Sequence, residues 1–206
     1  AKLVLWNDVE LGMAQMNENW NRPLNSRVKM DVWTNAEEVE LFLNGRSLGT
    51  KANLLDDPGQ RNKTTWQVDY EPGVLKAVAR TKGKFVAEHV VETVGEAVAL
   101  KLEADNPDWT SDGFDLQHIR ISAVDKQART VFDAKELVKF SVKGPARLIG
   151  VDNGDMMTDE LHVAKERSLH RGTALAILRA GREPGRVTFT ADAEGFEPIA
   201  LTFEVK

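Results

Sequence analysis

The chain has 206 residues, no cysteine and a formal net charge of −5 at pH 7. That length holds one large domain or two small ones, and the absence of thiols excludes a disulfide framework, a thiol nucleophile and a thiolate metal site. The negative balance argues against nucleic acid as a partner, since phosphates call for a basic face, and no apolar run is long enough to cross a bilayer as a helix.

The chain opens without an initiator methionine, inside the apolar run Leu3-Val4-Leu5-Trp6, and reads as an excised piece of a longer protein whose targeting signal would lie elsewhere. Residues 1–27 set Trp6, Met13, Met16 and Trp20 among Asn and Glu with no sustained period. They are expected to form a connecting arm, with Trp6 and Trp20 packed on a neighbouring domain.

From residue 28 the rhythm changes. Val28, Met30 and Val32 alternate with polar neighbours, as do Val39, Leu41 and Leu43. Strands are expected at Trp66–Tyr70, at Val74–Ala79 after the Pro72-Gly73 turn, and at Phe85–Val94 after Lys82-Gly83. The alternation restarts at Val98, Leu100 and Leu102, then Ile119, Ile121 and Ala123. It continues through Phe140–Val142, Leu148–Val151, Leu175–Leu178, Val187–Ala191 and Ile199–Val205. Period-two runs at this spacing, without helical periodicity, predict an all-β chain of sandwich domains.

A short internal repeat divides the chain in two. Pro72, Gly73, Ala79 and Gly83 recur as Pro184, Gly185, Ala191 and Gly195, each at an offset of 112 residues. That offset matches one immunoglobulin-like domain. The expected organisation is a connecting arm over 1–27, a first immunoglobulin-like β-sandwich over 28–95 and a second over 96–206.

One motif misleads. Gly45-Arg46-Ser47-Leu48-Gly49 matches G-x-S-x-G, the nucleophile elbow of serine hydrolases, which requires a strand, a tight turn at the serine and then a helix. Here the turn comes first, at Asn44-Gly45, whose residues accept the positive φ of a type I′ hairpin. A two-residue loop would set Leu43 opposite Arg46, Leu41 opposite Leu48 and Glu38 opposite Lys51, leaving Ser47 inside a strand. Glu37-Glu38 point to opposite faces of a strand and cannot share a substrate, while Asp56-Asp57 precedes Pro-Gly and reads as a turn.

Asp152, Asn153 and Asp155, in a loop with Asp159 and Glu160 nearby, are the candidate metal ligands. Calcium takes six to eight hard oxygens. The spacing departs from an EF-hand, and the simpler reading is a tight turn at Asn153-Gly154; no other cofactor is expected. His118 and His89 fall on strands, while His162 and His170 flank Lys165-Glu166-Arg167, which reads as a solvated loop. No histidine pair has helical zinc-ligand spacing.

An indole face can stack on the apolar face of a pyranose. Trp33 and Trp66 lie in strands and are expected in the core. Trp109 lies in the polar loop Asn106–Gly113 and is the candidate carbohydrate contact, the alternative being a loop anchored by its own aromatic.

With the strands placed, the first half resembles the immunoglobulin-like domain that follows the catalytic barrel in bacterial glycoside hydrolase family 2 enzymes, the β-galactosidase group. The matching residues are Asn19-Trp20-Asn21, Val32-Trp33-Thr34-Asn35 and the string from Val39 to Gly49, continued by Trp66, Tyr70, Pro72-Gly73 and Leu75. The second half resembles the C-terminal domain of those enzymes through Asp112–Leu116, Gly150–Asp155, Arg171-Gly172 and Ala174-Leu175. Arg22-Pro23 departs from the family, which usually has an aromatic soon after the Trp-Asn pair.

The resemblance implies a sugar-cleaving parent with two carboxylates about 5 Å apart on its barrel, as in retaining enzymes. No acidic residue here matches those motifs, so no catalytic residue is carried over. The expected role is a non-catalytic accessory region that braces the catalytic barrel of the same parent chain and shapes its rim or its oligomer contacts. Its expected partners are that barrel, a glycan and a second copy through the parent, without nucleic acid or membrane. A periplasmic or extracellular parent is expected. The alternatives are an independent carbohydrate-binding module and an adhesin-like stalk; a stalk would repeat one sequence, whereas these halves share only turn residues.

Overall fold

A computed structural model describes residues 19–57, 59 and 61–206, so Trp6, Met13 and Met16 of the expected arm lie outside the described residues. The chain is all-β: among the described residues there is no helix. It divides into two compact units between Thr93 and Val94.

The first unit contains β1 (Arg27–Trp33), β2 (Glu38–Leu43), β3 (Arg46–Ala52), β4 (Lys63–Asp69), β5 (Val74–Thr81) and β6 (Lys84–Glu92). β1 and β4 pair as a two-stranded antiparallel sheet, and the other layer has the order β3-β2-β5-β6. The apolar faces of both sheets meet in a core of Val39, Leu41, Leu43, Trp66, Val68, Leu75 and Val91. Alternation explains the membership, because successive side chains on a strand point to opposite faces.

That core includes Trp20, which corrects its expected place on a neighbouring domain. The indole is fully buried, its Nε1–H donates to the Glu71 carbonyl at 2.8 Å, and its ring lies 5.4 Å from that of Tyr70. Asn19 bridges Glu92 beside it, so this end of the expected arm is an edge of the first sandwich. Trp33 is a second correction. The parity that turns Val28, Met30 and Val32 inward sends Trp33 outward, where the Lys63 ammonium sits 5.5 Å from its ring centroid.

The Asn44-Gly45 turn has φ of 52° and 79°, as a type I′ hairpin demands. Leu43 pairs with Arg46, but Glu38 pairs with Ala52 and Lys51 with Val39. The expected Glu38–Lys51 pair fails because β3 carries an extra residue beyond Ser47: Leu48 and Gly49 lie against Leu41 as a bulge, with Gly49 at φ 101°. The bulge lets Leu48 pack on the core and swings the Lys51 ammonium to 5.2 Å from the Trp66 ring centroid. At Gly45 an added Cβ would meet nothing within 4 Å. Gly45→Val is therefore expected to cost about 1–2 kcal/mol through backbone strain alone. Urea denaturation of the first unit checks this; an unchanged midpoint would contradict the turn assignment.

The second unit contains β7 (Ala99–Ala104), β8 (Leu116–Val124), β9 (Leu137–Lys143), β10 (Ala146–Asp152), β11 (Glu166–Ser168), β12 (Thr173–Ala180), β13 (Gly185–Ala193) and β14 (Ile199–Val205). Its two antiparallel sheets have the orders β10-β12-β8-β7 and β11-β9-β13-β14. Between them lies a larger core, with Ile119, Ile121, Val138, Leu178, Val187 and Phe189 fully buried. The internal repeat has a structural meaning: Pro72-Gly73 and Pro184-Gly185 open the third strand of equivalent four-stranded sheets, and Gly83 and Gly195 turn each chain into the last strand. β11 corrects the expected solvated loop around Arg167, whose side chain is fully buried.

Candidate functional site

The loop from β10 to β11 combines a buried charge with exposed apolar side chains. β10 ends at Asp152, and the chain then turns through Asn153-Gly154. Asp152 Oδ1 accepts the Asn153 and Gly154 N–H groups at 2.6 and 2.7 Å. The Gly154 bond is the main cause that holds this carboxyl below its usual range; burial opposes it, and the Asn153 bond and the charges of His162 and Arg167 add to it. Asn153 Oδ1 accepts the Asp155 N–H at 3.0 Å, and Asp155 Oδ1 accepts the Met157 N–H at 2.9 Å. Each polar side chain closes the next turn.

Arg167 locks the loop from beneath. Its guanidinium donates through Nη1 to the Glu160 carbonyl and through Nη2 to Asn153 Oδ1, both at 2.9 Å, and its Nε lies 3.4 Å from Glu160 Oε2. Glu160 in turn accepts the Ser168 hydroxyl at 2.6 Å, and the Asn153 amide donates to the Ser168 carbonyl at 2.9 Å. The Val151 N–H bonds the His162 carbonyl at 2.8 Å, which fastens the far side of the loop to β10. A planar fork with several donors suits this task, because it satisfies two separated acceptors at once.

The expected calcium ligands Asp152, Asn153 and Asp155 therefore do not fit the ion. The Oδ1 atom of each already accepts a backbone N–H group, a guanidinium also holds the Asn153 oxygen, and Oδ2 of Asp152 and Oδ2 of Asp155 lie beside His162 Nδ1 and His170 Nδ1 at 3.5 and 3.8 Å. Calcium would need six to eight free hard oxygens around one point. Among the described residues, no group of three or more His, Asp or Glu side chains could hold a metal ion.

Above this scaffold Met156 and Met157 are 96% and 93% exposed, Leu161 74% and Val163 80%. Four apolar side chains of one internally bonded loop thus stand in solvent, and exposed apolar side chains that gather into a patch mark an interaction surface. Methionine's flexible, polarizable side chain suits it to such a surface.

The other sequence candidates are elsewhere. Trp109 is 2% exposed: its Nε1–H donates to the Asp115 carbonyl at 3.1 Å, and its ring meets Phe203 edge-on at 5.7 Å. An indole packed in this way has no open face for a pyranose, which corrects the expected sugar contact and leaves the aromatic as the anchor of its loop. Its burial explains the polar loop around it, because Asp115 accepts the Thr110 N–H and hydroxyl and folds the segment over the ring.

Ser47 donates its hydroxyl to Glu40 Oε1 at 2.8 Å, and Arg80 pairs with Glu40 Oε2 at 2.9 Å. These two bonds, that of Ser47 foremost, hold the Glu40 carboxyl below its usual range. A carboxylate so stabilised is a poor base, so the serine has no activator there. Glu37 accepts the N–H of Lys82, 45 residues away, and Asp57 accepts the Gly59 N–H within its own turn.

Residues 100–202 match the family model described as glycoside hydrolase family 2 C-terminal domain 5, and residues 25–87 match one described as a domain of unknown function, DUF4982. The chain is 33% identical to the β-galactosidase BoGH2A of Bacteroides ovatus over 95% of its own length and 22% of that protein's. It is 30% identical to a β-glucuronidase of Formosa agariphila, over 90% of this chain and 19% of that one. A crystal structure of a glycosyl hydrolase family 2 member from Bacteroides cellulosilyticus superposes with a TM-score of 0.87 at 36% identity, covering 92% of this chain and 24% of that one. The chain thus spans about a fifth of the length of these curated relatives. Two sandwiches in this order, the second matched over its core strands, make the chain a member of glycoside hydrolase family 2 that carries the family's C-terminal domain 5.

Proposed function

We propose that this chain is a non-catalytic accessory region of a β-galactosidase-like glycosidase, and that it docks on the parent's catalytic barrel through the β10–β11 loop. The observation that carries this reading is the apolar tip of Met156, Met157, Leu161 and Val163 on a loop fixed by a fully buried arginine. Burying a charge is costly, and a fixed loop needs no further ordering when a partner covers it, which strengthens association. The relatives' greater length supports the choice of partner, because in them equivalent sandwiches are one part of a larger glycoside hydrolase. The chemistry then belongs to the barrel.

The chain alone is expected to hydrolyse neither nitrophenyl β-galactoside, nitrophenyl β-glucuronide nor nitrophenyl esters above the buffer rate. Continuous absorbance assays check this. Turnover that disappears in Ser47→Ala, or in a single-carboxylate variant, would contradict the accessory reading.

A further inference from the structure

Six of the thirteen arginines of this acidic chain have a carboxylate beside them, among them Arg46 with Glu71, Arg80 with Glu40, Arg129 with Asp125 and Arg186 with Glu204. Arg147, Arg179 and Arg182 are set apart by standing together. They line one open groove of about 590 Å³ in the second unit, together with Phe114 and the backbone at Gly144-Pro145. Among the described residues, no carboxylate pairs with any of the three. Arg147 and Arg179 are direct cross-strand partners on β10 and β12. Like charges placed opposite one another destabilise a sheet, so the fold bears a cost here that an anionic ligand would relieve.

The groove is also built. Asp112 Oδ1 accepts the Phe114 and Asp115 N–H groups at 2.8 and 2.7 Å, fixing a turn that leaves the Phe114 ring 69% exposed beside the arginines. The Gly181 N–H bonds the Pro145 carbonyl at 2.7 Å, which holds the two walls together. Arg182 lies against Gly113, where an added Cβ would come within 3.0 Å of its Cγ.

We propose that this groove binds an acidic oligosaccharide, whose carboxylate or sulfate groups meet the guanidinium forks of Arg147, Arg179 and Arg182 while a pyranose face lies on Phe114. Guanidinium groups recognise planar oxyanions in bidentate fashion, and an exposed aromatic ring offers an apolar face to a sugar. The choice of a glycan over an acidic peptide rests on the chain's membership of a glycoside hydrolase family. The site is separate from the β10–β11 loop, so it stands whether or not that loop docks on a barrel.

The test is calorimetric titration of the 206-residue chain with three probes: a galacturonic acid trimer, a sulfated galactose trimer and a neutral galactose trimer. Saturable binding of an acidic trimer, weakened at about 0.5 M NaCl by screening, and no binding of the neutral one is the expected result; which acidic trimer binds identifies the anionic group. Arg147→Ala and Arg179→Ala should each weaken binding about tenfold or more, the scale of a lost charge-assisted contact, and Phe114→Ala should weaken it as well. Arg147→Ala should not lower the Tm, because it removes a like-charge pair, so the loss will not reflect misfolding. Met156→Ser should leave sugar binding unchanged. The proposal is overturned if neither acidic trimer binds, if the neutral trimer binds as tightly, or if the arginine variants bind like the wild type.

Discussion

Replacing Arg167 with leucine is expected to destabilise the second unit by about 3 kcal/mol, the scale of losing two hydrogen bonds from a buried charged donor. Leucine fills the volume but takes from the Glu160 carbonyl its guanidinium donor and from the Asn153 oxygen one of its two donors, leaving that oxygen only the Asp155 N–H. The Glu160 carboxylate would also lose its cation. Arg167→Lys should fall between leucine and wild type, since one ammonium keeps the charge but cannot span both acceptors. Proteolysis should then begin within residues 153–165, because the loop loses the side chain that joins its two ends. Urea denaturation gives the stability, and limited thermolysin digestion, which cuts before apolar residues such as Met156, Met157, Leu161 and Val163, gives the loop opening. A leucine variant with unchanged midpoint and unchanged digestion would show that the buried charge does not hold the loop.

The second large effect is expected at Asp125. This buried carboxylate accepts N–H groups from Gly95, Gln127 and Arg129 at 3.0, 2.9 and 3.0 Å, and the Arg129 side chain through Nε at 3.0 Å and Nη2 at 2.7 Å. Burial pushes its pKa up, but these donors prevail and hold it well below the usual carboxylate range. Asp125→Asn keeps the shape but replaces one acceptor oxygen with an amide that faces donors, and should cost about 3 kcal/mol at pH 7. The sign of the pH dependence follows from the lowered pKa. The unfolded carboxyl takes its proton near the ordinary value of about 3.9, before the folded one does, so the stabilisation is complete above that pH and lost as pH falls toward the folded pKa. The difference between wild type and variant should therefore be constant from pH 5 to pH 8, in the plateau above about 4, and shrink below that. A difference that grows as pH falls would contradict the assignment.

Much of the fold was legible because alternation is a direct physical record of burial. Val39, Leu41 and Leu43 face the core and are flanked by residues that do not, and the Asn44-Gly45 turn follows from backbone sterics alone. Apart from Trp33, the misses share a cause: the deciding contact lay far away in sequence or ran against composition. Lys165-Glu166-Arg167 has the composition of a solvated loop, yet Arg167 is buried because Asn153 and Glu160 supply acceptors beneath the surface. Trp20 sits in a segment without period, and its place is decided by the Glu71 carbonyl and the Tyr70 ring. The bulge at Gly49 shifts the register by one residue, a change to which a two-residue turn is blind. Trp33 was legible after all, since its parity with Lys29 and Asp31 already placed it outside.

The candidate site was only half legible. Asp152-Asn153-Gly154-Asp155 was recognisable as a loop of oxygens, and its simpler reading as a turn matches the Asn153 and Gly154 N–H bonds to Asp152. What periodicity could not reveal is that the neighbouring Met156, Met157, Leu161 and Val163 all stand outside. Apolar residues in a loop read as incidental until the structure shows that no local core receives them.

Those methionines offer the most direct measurement of the docking claim. Side chains exposed to this degree should oxidise readily to the sulfoxide. Dilute hydrogen peroxide should therefore oxidise Met156 and Met157 quickly in the isolated chain, as followed by peptide mass spectrometry. In the full-length parent glycosidase the same two residues should oxidise at least about tenfold more slowly, because a packed interface excludes water and oxidant from its centre. Equal rates in the two proteins would contradict the proposal that this loop docks on the catalytic barrel.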